Sequence, residues 1–233
     1  MQQSAERPNY HIFSGFNLDL LPSDERKMFD DSGTIIHFKK DDIVYNQGSV
    51  AKGAYFIIKG MVKVNQYDSK GKEQILFFFS RAELFGYRAL LTNDKHSISA
   101  ICIEDCEIKF IESNNFLKLI ESSEILTRQI LSRVSHEFTI LLNRVNIFAQ
   151  KDDKGRLSFA LLVLNEKFKA QKMQTGVIPI KISLSNLSAF TGLSVEIVSS
   201  NLNYFVEINA IEIADNTISI KNFDILHKTS GNA

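Results

Sequence analysis

The feature that most limits how this chain can fold is a run of apolar residues between positions 131 and 148. Leu131, Val134, Phe138, Leu141, Val145 and Phe148 follow one another at steps of three and four. That is the heptad spacing of a helix with one continuous apolar seam. Ile130, Ile140 and Ile147 form a second stripe off the seam. A helix apolar on two sides needs two partners. The economical arrangement packs one side on the chain's own β-roll and the seam on a second copy of the chain. A helix wholly buried within a monomer is the alternative. The six seam residues are the predicted homodimer interface.

Upstream the period changes from helical to two. "TIIHFKKDDIVYNQGS" alternates apolar and polar residues, and "AYFIIKGMVKVNQYDSKGKEQILFFFS" reads as strand, Gly60, strand, a Lys70-Gly71 turn and a further strand. Val62 and Val64 are expected on one face, Lys63 and Asn65 on the other. "SISAICIEDCEIKFI" gives two more strands around Glu104-Asp105. Short strands at this spacing, broken by Gly and Asp, predict an all-β roll or barrel. Downstream of the seam, "AQKDDKGR" is a charged break and expected hinge, followed by an apolar helix "LSFALLVLNEKF" and a loop "KAQKMQTGVI". The remainder reads as a short strand, a helix, a tight turn at Gly192, a second helix and a hairpin turning at Asp215-Asn216. That is a winged helix-turn-helix layout.

Composition excludes more than it selects. The 233 residues carry 27 cationic and 27 anionic side chains, so bulk charge names no partner. No apolar run approaches the roughly 18–20 residues of a membrane span, and "MQQSAERPNYHIFSG" lacks the apolar stretch of a signal peptide. A cytoplasmic protein without membrane association is expected. Cys102 and Cys106 make no disulfide framework; packing is the expected role, a redox pair the alternative. Two thiols cannot hold a four-thiolate iron–sulfur cluster. No histidine sits in a haem motif, and there is no zinc spacing, phosphate-cradling loop or nucleophile elbow. The sequence predicts neither a cofactor nor an enzyme.

A roll, a long seam helix and a winged helix, in this order, resemble the cyclic-AMP receptor protein / FNR (Crp/Fnr) family of bacterial transcription regulators. The most specific segments are "YFIIKGMVKV", "ELFGYRALL" and "LSNLSAFTGLSVEIVSSNL". The resemblance implies an α+β chain: a cyclic-nucleotide-binding-type β-roll (jelly roll) over 1–120, a dimerisation helix over 121–149 and a winged helix-turn-helix over 150–233. It also implies a palindromic double-stranded DNA operator, RNA polymerase as a partner and a small-molecule effector.

In the family's cyclic-AMP binders a Glu follows the glycine of the pocket segment and takes the ribose hydroxyl. An Arg-Ser pair holds the phosphate and a Thr-Ser pair on the long helix touches the base. Here the glycine is Gly86 and the Glu position holds Tyr87; the Arg-Ser pair aligns with Ile98 and Ser99, and the Thr-Ser pair with Leu141 and Leu142. A cyclic phosphate beside Ile98 would lack its counter-charge, so the resemblance predicts an effector other than cyclic AMP. Arg88 and His96 are candidates for a different anion site; a structural role for Arg88 is the plainer reading.

The second helix of the helix-turn-helix raises its own question. The family commonly carries Ser-Val-Glu and then an Arg four residues after the Glu. Here Ser194, Val195, Glu196 and Ser199 match, but the Arg position is Ser200, and no Lys or Arg occurs between Leu193 and Phe205. Glu196 can accept from cytosine N4, Val195 can touch a thymine methyl, and Ser199 and Ser200 can bond a base edge or phosphate. Ser183 and Ser185, with Lys181, are the expected phosphate contacts. From Lys151 to the C-terminus nine cations face eight anions, a surplus of one. A sensor or scaffold dimer with a vestigial DNA-binding domain is the alternative.

Overall fold

A computed structural model describes residues 15–172 and 178–231. Nearly all of the N-terminal stretch read for a leader, and half of the "KAQKMQTGVI" loop (173–177), lie outside the described residues; the loop's first residues, 169–172, are helical instead. The described residues fall into two units, residues 15–135 and 136–231. The division falls inside a single long helix.

The first unit is a β-roll of two four-stranded antiparallel sheets. Its strands are β1 (Gly33–Phe38), β2 (Ile43–Tyr45), β3 (Gly53–Lys59), β4 (Val62–Tyr67), β5 (Glu73–Phe79), β6 (Leu84–Phe85), β7 (Ser99–Cys102) and β8 (Cys106–Glu112). One sheet runs β1-β8-β3-β6 and the other β2-β7-β4-β5. Apart from the β4–β5 hairpin, strands neighbouring in sequence alternate between the two sheets, as in a jelly roll. Ile57, Met61, Val62, Val64, Ile75, Ala100, Cys102 and Ile108 are fully buried between them. Both cysteines are buried free thiols, which agrees with the packing role. Helix α1 (Ser23–Asp31) precedes the roll; α2 (Tyr87–Leu91) interrupts it and α3 (Ser113–Ser122) closes it. The predicted alternation in β4 fails at Asn65, which is fully buried. The β4–β5 register shifts between Val64 and Asn65, a bulge that re-aims one side chain; the Asn65 amide then donates to Glu73 Oε1.

Helix α4 (Glu124–Gln150) starts in the first unit and ends in the second. Its start is fixed to the roll by polar contacts. Gln129 Nε2 donates to Asn17 O and accepts at Oε1 from Asn17 N–H. Deeper, Arg133 Nη1 donates to Glu83 Oε1 at 2.5 Å, with both side chains 3% exposed or less. Glu83 Oε2 accepts from the Ser80 N–H and hydroxyl, and the guanidinium lies 5.0 Å from the Phe79 ring centroid. The carboxylate is thus satisfied by three donors, the condition under which a buried pair is tolerated.

Along α4 the predicted seam is largely uncovered: Leu131, Phe138 and Val145 are each more than 60% exposed, and Val134 is 37% exposed. Leu141 and Phe148 are half-buried. Leu142, half exposed, lies on the same face and extends the stripe. Of the second stripe Ile130 and Ile147 are buried and Ile140 is half-buried. The roll was expected to cover all three, but Ile147 lines a small cavity with Phe148, Phe159, Ala160 and Phe190. The far end of the stripe is covered by helices of the second unit.

The second unit holds the end of α4, then α5 (Asp153–Lys172), α6 (Leu184–Thr191), α7 (Val195–Glu207), the hairpin β9 (Ile211–Ala214) and β10 (Thr217–Ile220), and α8 (Phe223–Ser230). The charged break before α5 is only Lys151 and Asp152; Lys154–Arg156 are already helical. The helix α8 was not expected. It carries an Asn222 side-chain cap on Ile225 N–H, Asp224 in its first turn and His227 and Lys228 in its last, all ordinary helix-end signals. No helix among the described residues is long and apolar enough to cross a membrane.

The Glu83–Arg133 pair gives a stability prediction. Arg133→Met leaves a carboxylate buried without its counter-charge and should cost about 3–5 kcal/mol in a urea unfolding titration. A loss below about 1 kcal/mol would mean that Glu83 is not held as an ion in the folded roll.

Candidate functional site

Two regions were singled out by sequence: the pocket segment of the roll and the helix-turn-helix. In the roll, Gly86 follows β6 directly and caps α2 with φ +79°. A β-carbon there would come within 2.7 Å of Tyr55 Cδ2, so ring packing as well as backbone conformation calls for glycine. Tyr87 is 1% exposed, its ring 6.3 Å from that of Phe116. It is a core side chain, where a ribose-binding Glu would have to reach a ligand. Arg88 is half-buried. Ile98 and Ser99 are both buried, and the Ser99 hydroxyl already accepts from Gln47 N–H at 2.9 Å.

His96 stacks on Tyr45 at 3.8 Å with the rings 11° apart. Burial pushes its pKa down, which favours the uncharged ring and weighs against a cationic role beside Arg88. Tyr45, Tyr55, Phe79 and Phe85 continue the ring cluster. The side chains packed about the pocket segment are thus mainly neutral rings, with Ile98 and the Ser99 hydroxyl buried nearby. Leu141 and Leu142, the remaining candidates, sit on α4 as described above.

The helix-turn-helix is built from three locks. Ser183 caps α6 by accepting from Asn186 N–H, and its hydroxyl lies 2.9 Å from that of Ser185. Gly192, at φ +74°, ends α6 with its N–H on Ser188 O. That left-handed turn is cheap only for glycine. Ser188 and Thr191 hydroxyls donate to Leu193 O and Leu187 O, tightening the turn. Ser194 then caps α7, accepting from Ile197 N–H. Behind α7, Val198, Asn201, Leu202 and Phe205 are buried at helical spacing, and Lys154 Nζ lies 3.5 Å from the Tyr204 ring centroid. From α4, Arg144 donates to Phe190 O on α6 and sits 4.6 Å from that ring's centroid. Burial lowers that guanidinium to about 10, so it stays charged at neutral pH.

With the buried face fixed, the outward face of α7 is fixed too. Val195, Glu196, Ile197, Ser200, Asn203, Val206 and Glu207 are exposed and Ser199 is half-buried. At about 100° per residue, Glu196, Ser200, Asn203 and Glu207 share roughly 60° of arc. The structure therefore brings Glu196 and Ser200 together at the centre of the face, with Val195 and Ser199 on one flank. Ser183, Ser185 and Lys181 are exposed at the start of α6. Asn203 and Glu207 went unnoticed in the sequence; continuing the four-three-four spacing from Glu196 would have found them. Glu196 carries a pKa below the usual carboxylate range, held there by its own backbone N–H and by the Ser194 hydroxyl. It is an acceptor only. Just after the hairpin, Lys221 pairs with Glu212 at 2.6 Å, both half-exposed.

Comparison with known proteins agrees with this geometry. Residues 35–123 match the cyclic nucleotide-binding domain. The cyclic AMP receptor protein of Thermus thermophilus is 23% identical over 186 residues, covering 79% of this chain and 82% of that protein. The cAMP-activated global transcriptional regulator CRP of Salmonella typhimurium is 26% identical over 176 residues, 75% of this chain and 83% of that one. The solved structure of FixK2 from Bradyrhizobium japonicum superposes with a TM-score of 0.76 at 19% identity, over 84% of this chain and 96% of that chain. The roll, the long helix and the helix-turn-helix occur together in one chain, and the likeness to these Crp/Fnr-type proteins runs along most of their length.

Proposed function

We propose that this chain is a homodimeric, DNA-binding transcription regulator of the Crp/Fnr family, active in the cytoplasm, whose effector is not cyclic AMP. Residues 1–120 serve as the sensor, 121–149 as the dimer helix and 150–233 as the DNA-binding domain. The observation that carries the reading is the exposed, hydrogen-bonding face of α7, presented by a Gly192 turn and a Ser194 cap. The exposed stripe of Leu131, Phe138, Leu142 and Val145 supports the dimer, since a second α4 would remove it from water. Two reading helices related by a two-fold axis call for a palindromic operator. An effector bound in the roll would act by shifting the population of dimer arrangements and so the spacing of the reading helices. The operator-bound dimer would then engage RNA polymerase. The small-molecule effector is of unassigned chemistry, and the chain acts by binding rather than catalysis.

One observation favours the scaffold alternative. The outward face of α7 has no cation, and the hairpin adds Glu212 and Asp215 against a single, paired Lys221. Phosphate neutralisation supplies most non-specific DNA affinity. The regulator reading therefore requires an interface that relies on Lys181, hydroxyls and backbone N–H groups at helix starts.

Selection from a random double-stranded DNA pool with purified protein separates the two readings. An enriched palindrome is expected, with a salt dependence shallower than that of interfaces making about 6–10 phosphate contacts. No enrichment even at low salt would leave the scaffold reading in place. For the dimer, Phe138→Glu with Val145→Glu should yield a folded monomer by light scattering, because both residues are exposed in the protomer and would bury unpaired charge only in the dimer. A dimer persisting at micromolar concentration would place the interface elsewhere. For the pocket, millimolar cyclic AMP should leave the melting temperature almost unchanged. A ligand at 100 times its Kd adds about 2.7 kcal/mol, so a clear rise would overturn the reading of Tyr87 and Ile98.

A further inference from the structure

We infer that Asn203 is a specificity-determining residue that reads an adenine in each operator half-site, about three base pairs from the base read by Glu196. The inference rests on the DNA-binding reading and adds a residue and a base to it. Asn203 is exposed on α7, seven residues and so two turns beyond Glu196, and lies in the same narrow arc as Glu196 and Ser200. Seven residues at about 1.5 Å each span about 10.5 Å, close to three base-pair steps of about 3.4 Å.

The chemistry of the two side chains differs. Glu196, held ionised by its own N–H and Ser194, can only accept, which suits the cytosine N4 amino group. Asn203 offers both a carbonyl and an amino group. That pair matches adenine N6 and N7 in the major groove, a two-bond fit that guanine and the pyrimidines do not give. The neighbouring Asn201 cannot compete for this role: it is 8% exposed and belongs to the buried face.

Reach is the remaining requirement. In a helix-turn-helix the base contacts come mainly from the N-terminal part of the second helix. A long Arg at the Ser200 position would hold the helix axis away from the base edges. Here the exposed side chains of the first two turns are Val195, Glu196, Ile197 and Ser200, with Ser199 half-buried, none longer than Glu. A helix with short side chains can lie deeper in the groove, which brings its third turn, and Asn203, within reach of the bases.

The test uses full-length protein. A site is first selected from a random double-stranded pool at about 50 mM salt, where non-specific contacts are strong. Wild type and Asn203→Ala are then titrated against every single-base variant of the selected half-site. Asn203 is exposed, so the variant should fold. The expected result is a wild-type preference for adenine, worth roughly tenfold to a hundredfold, at one position per half-site. Asn203→Ala should lose that preference alone, with the choice at the Glu196 position unchanged. An unchanged pattern of preferences in Asn203→Ala overturns the inference, as does an equal loss of affinity for all variants, which would make Asn203 a phosphate contact. Both of those outcomes leave the DNA-binding reading standing. Failure of wild type to enrich any site removes that reading, and this inference with it.

Discussion

A carboxylate and a guanidinium, both almost wholly out of water, meet where the roll touches the start of its long helix. Glu83 stands at the head of the pocket segment, three residues before Gly86; Arg133 stands on α4 at the head of the exposed stripe. Neither charge could be buried alone, and each is held in register by the other. The Ser80 N–H and hydroxyl and the Phe79 ring complete the cage. The pair fixes which face of α4 turns inward. Ile130 accordingly faces the protein, while Leu131, Phe138 and Val145 are left exposed.

The same logic, in which a buried face decides an exposed one, runs through the helix-turn-helix. Gly192 and Ser194 set where α7 begins, and Val198, Leu202 and Phe205 set which side is buried. What is left outside is a face of two carboxylates, two hydroxyls, an amide and several aliphatic groups. Such a face can discriminate bases by hydrogen bonding and methyl contact, but it supplies little of the charge that draws a protein to DNA. Specificity here has to be separated from affinity, and the two should respond differently to salt. In the pocket segment Tyr87 and Ile98 are buried, and burial favours the uncharged His96 ring, so these side chains offer no counter-charge to an anion.

Much of this was legible in the sequence because it rests on local periodicity. The period-two runs became β1 to β5, β7 and β8; the heptad steps became α4; Gly192 and Asp215-Asn216 fell at turns. What escaped notice had weaker or longer-range signals. β6 is two residues and α2 five, too short for any period to register. Asn65 leaves the alternation because of a bulge, which depends on how β4 and β5 pair. The Glu83–Arg133 pair joins residues fifty apart, and nothing in either neighbourhood names the other. Ile147 was assigned to the wrong cover because periodicity gives the face of a helix but not what lies against it. Helix α8 and Asn203 are different: Asn222, Asp224 and the four-three-four spacing from Glu196 were available signals that went unused.

The central claim is that two copies of α7 enter adjacent major grooves on one face of the duplex. Chemical footprinting of the guanine N7 positions, on a complex of full-length protein with its selected site, tests it most directly. The account predicts two protected major-groove patches, symmetric and centred about one helical turn, roughly 34 Å, apart. A single patch, or no protection of guanine N7 anywhere in the bound site, would contradict it.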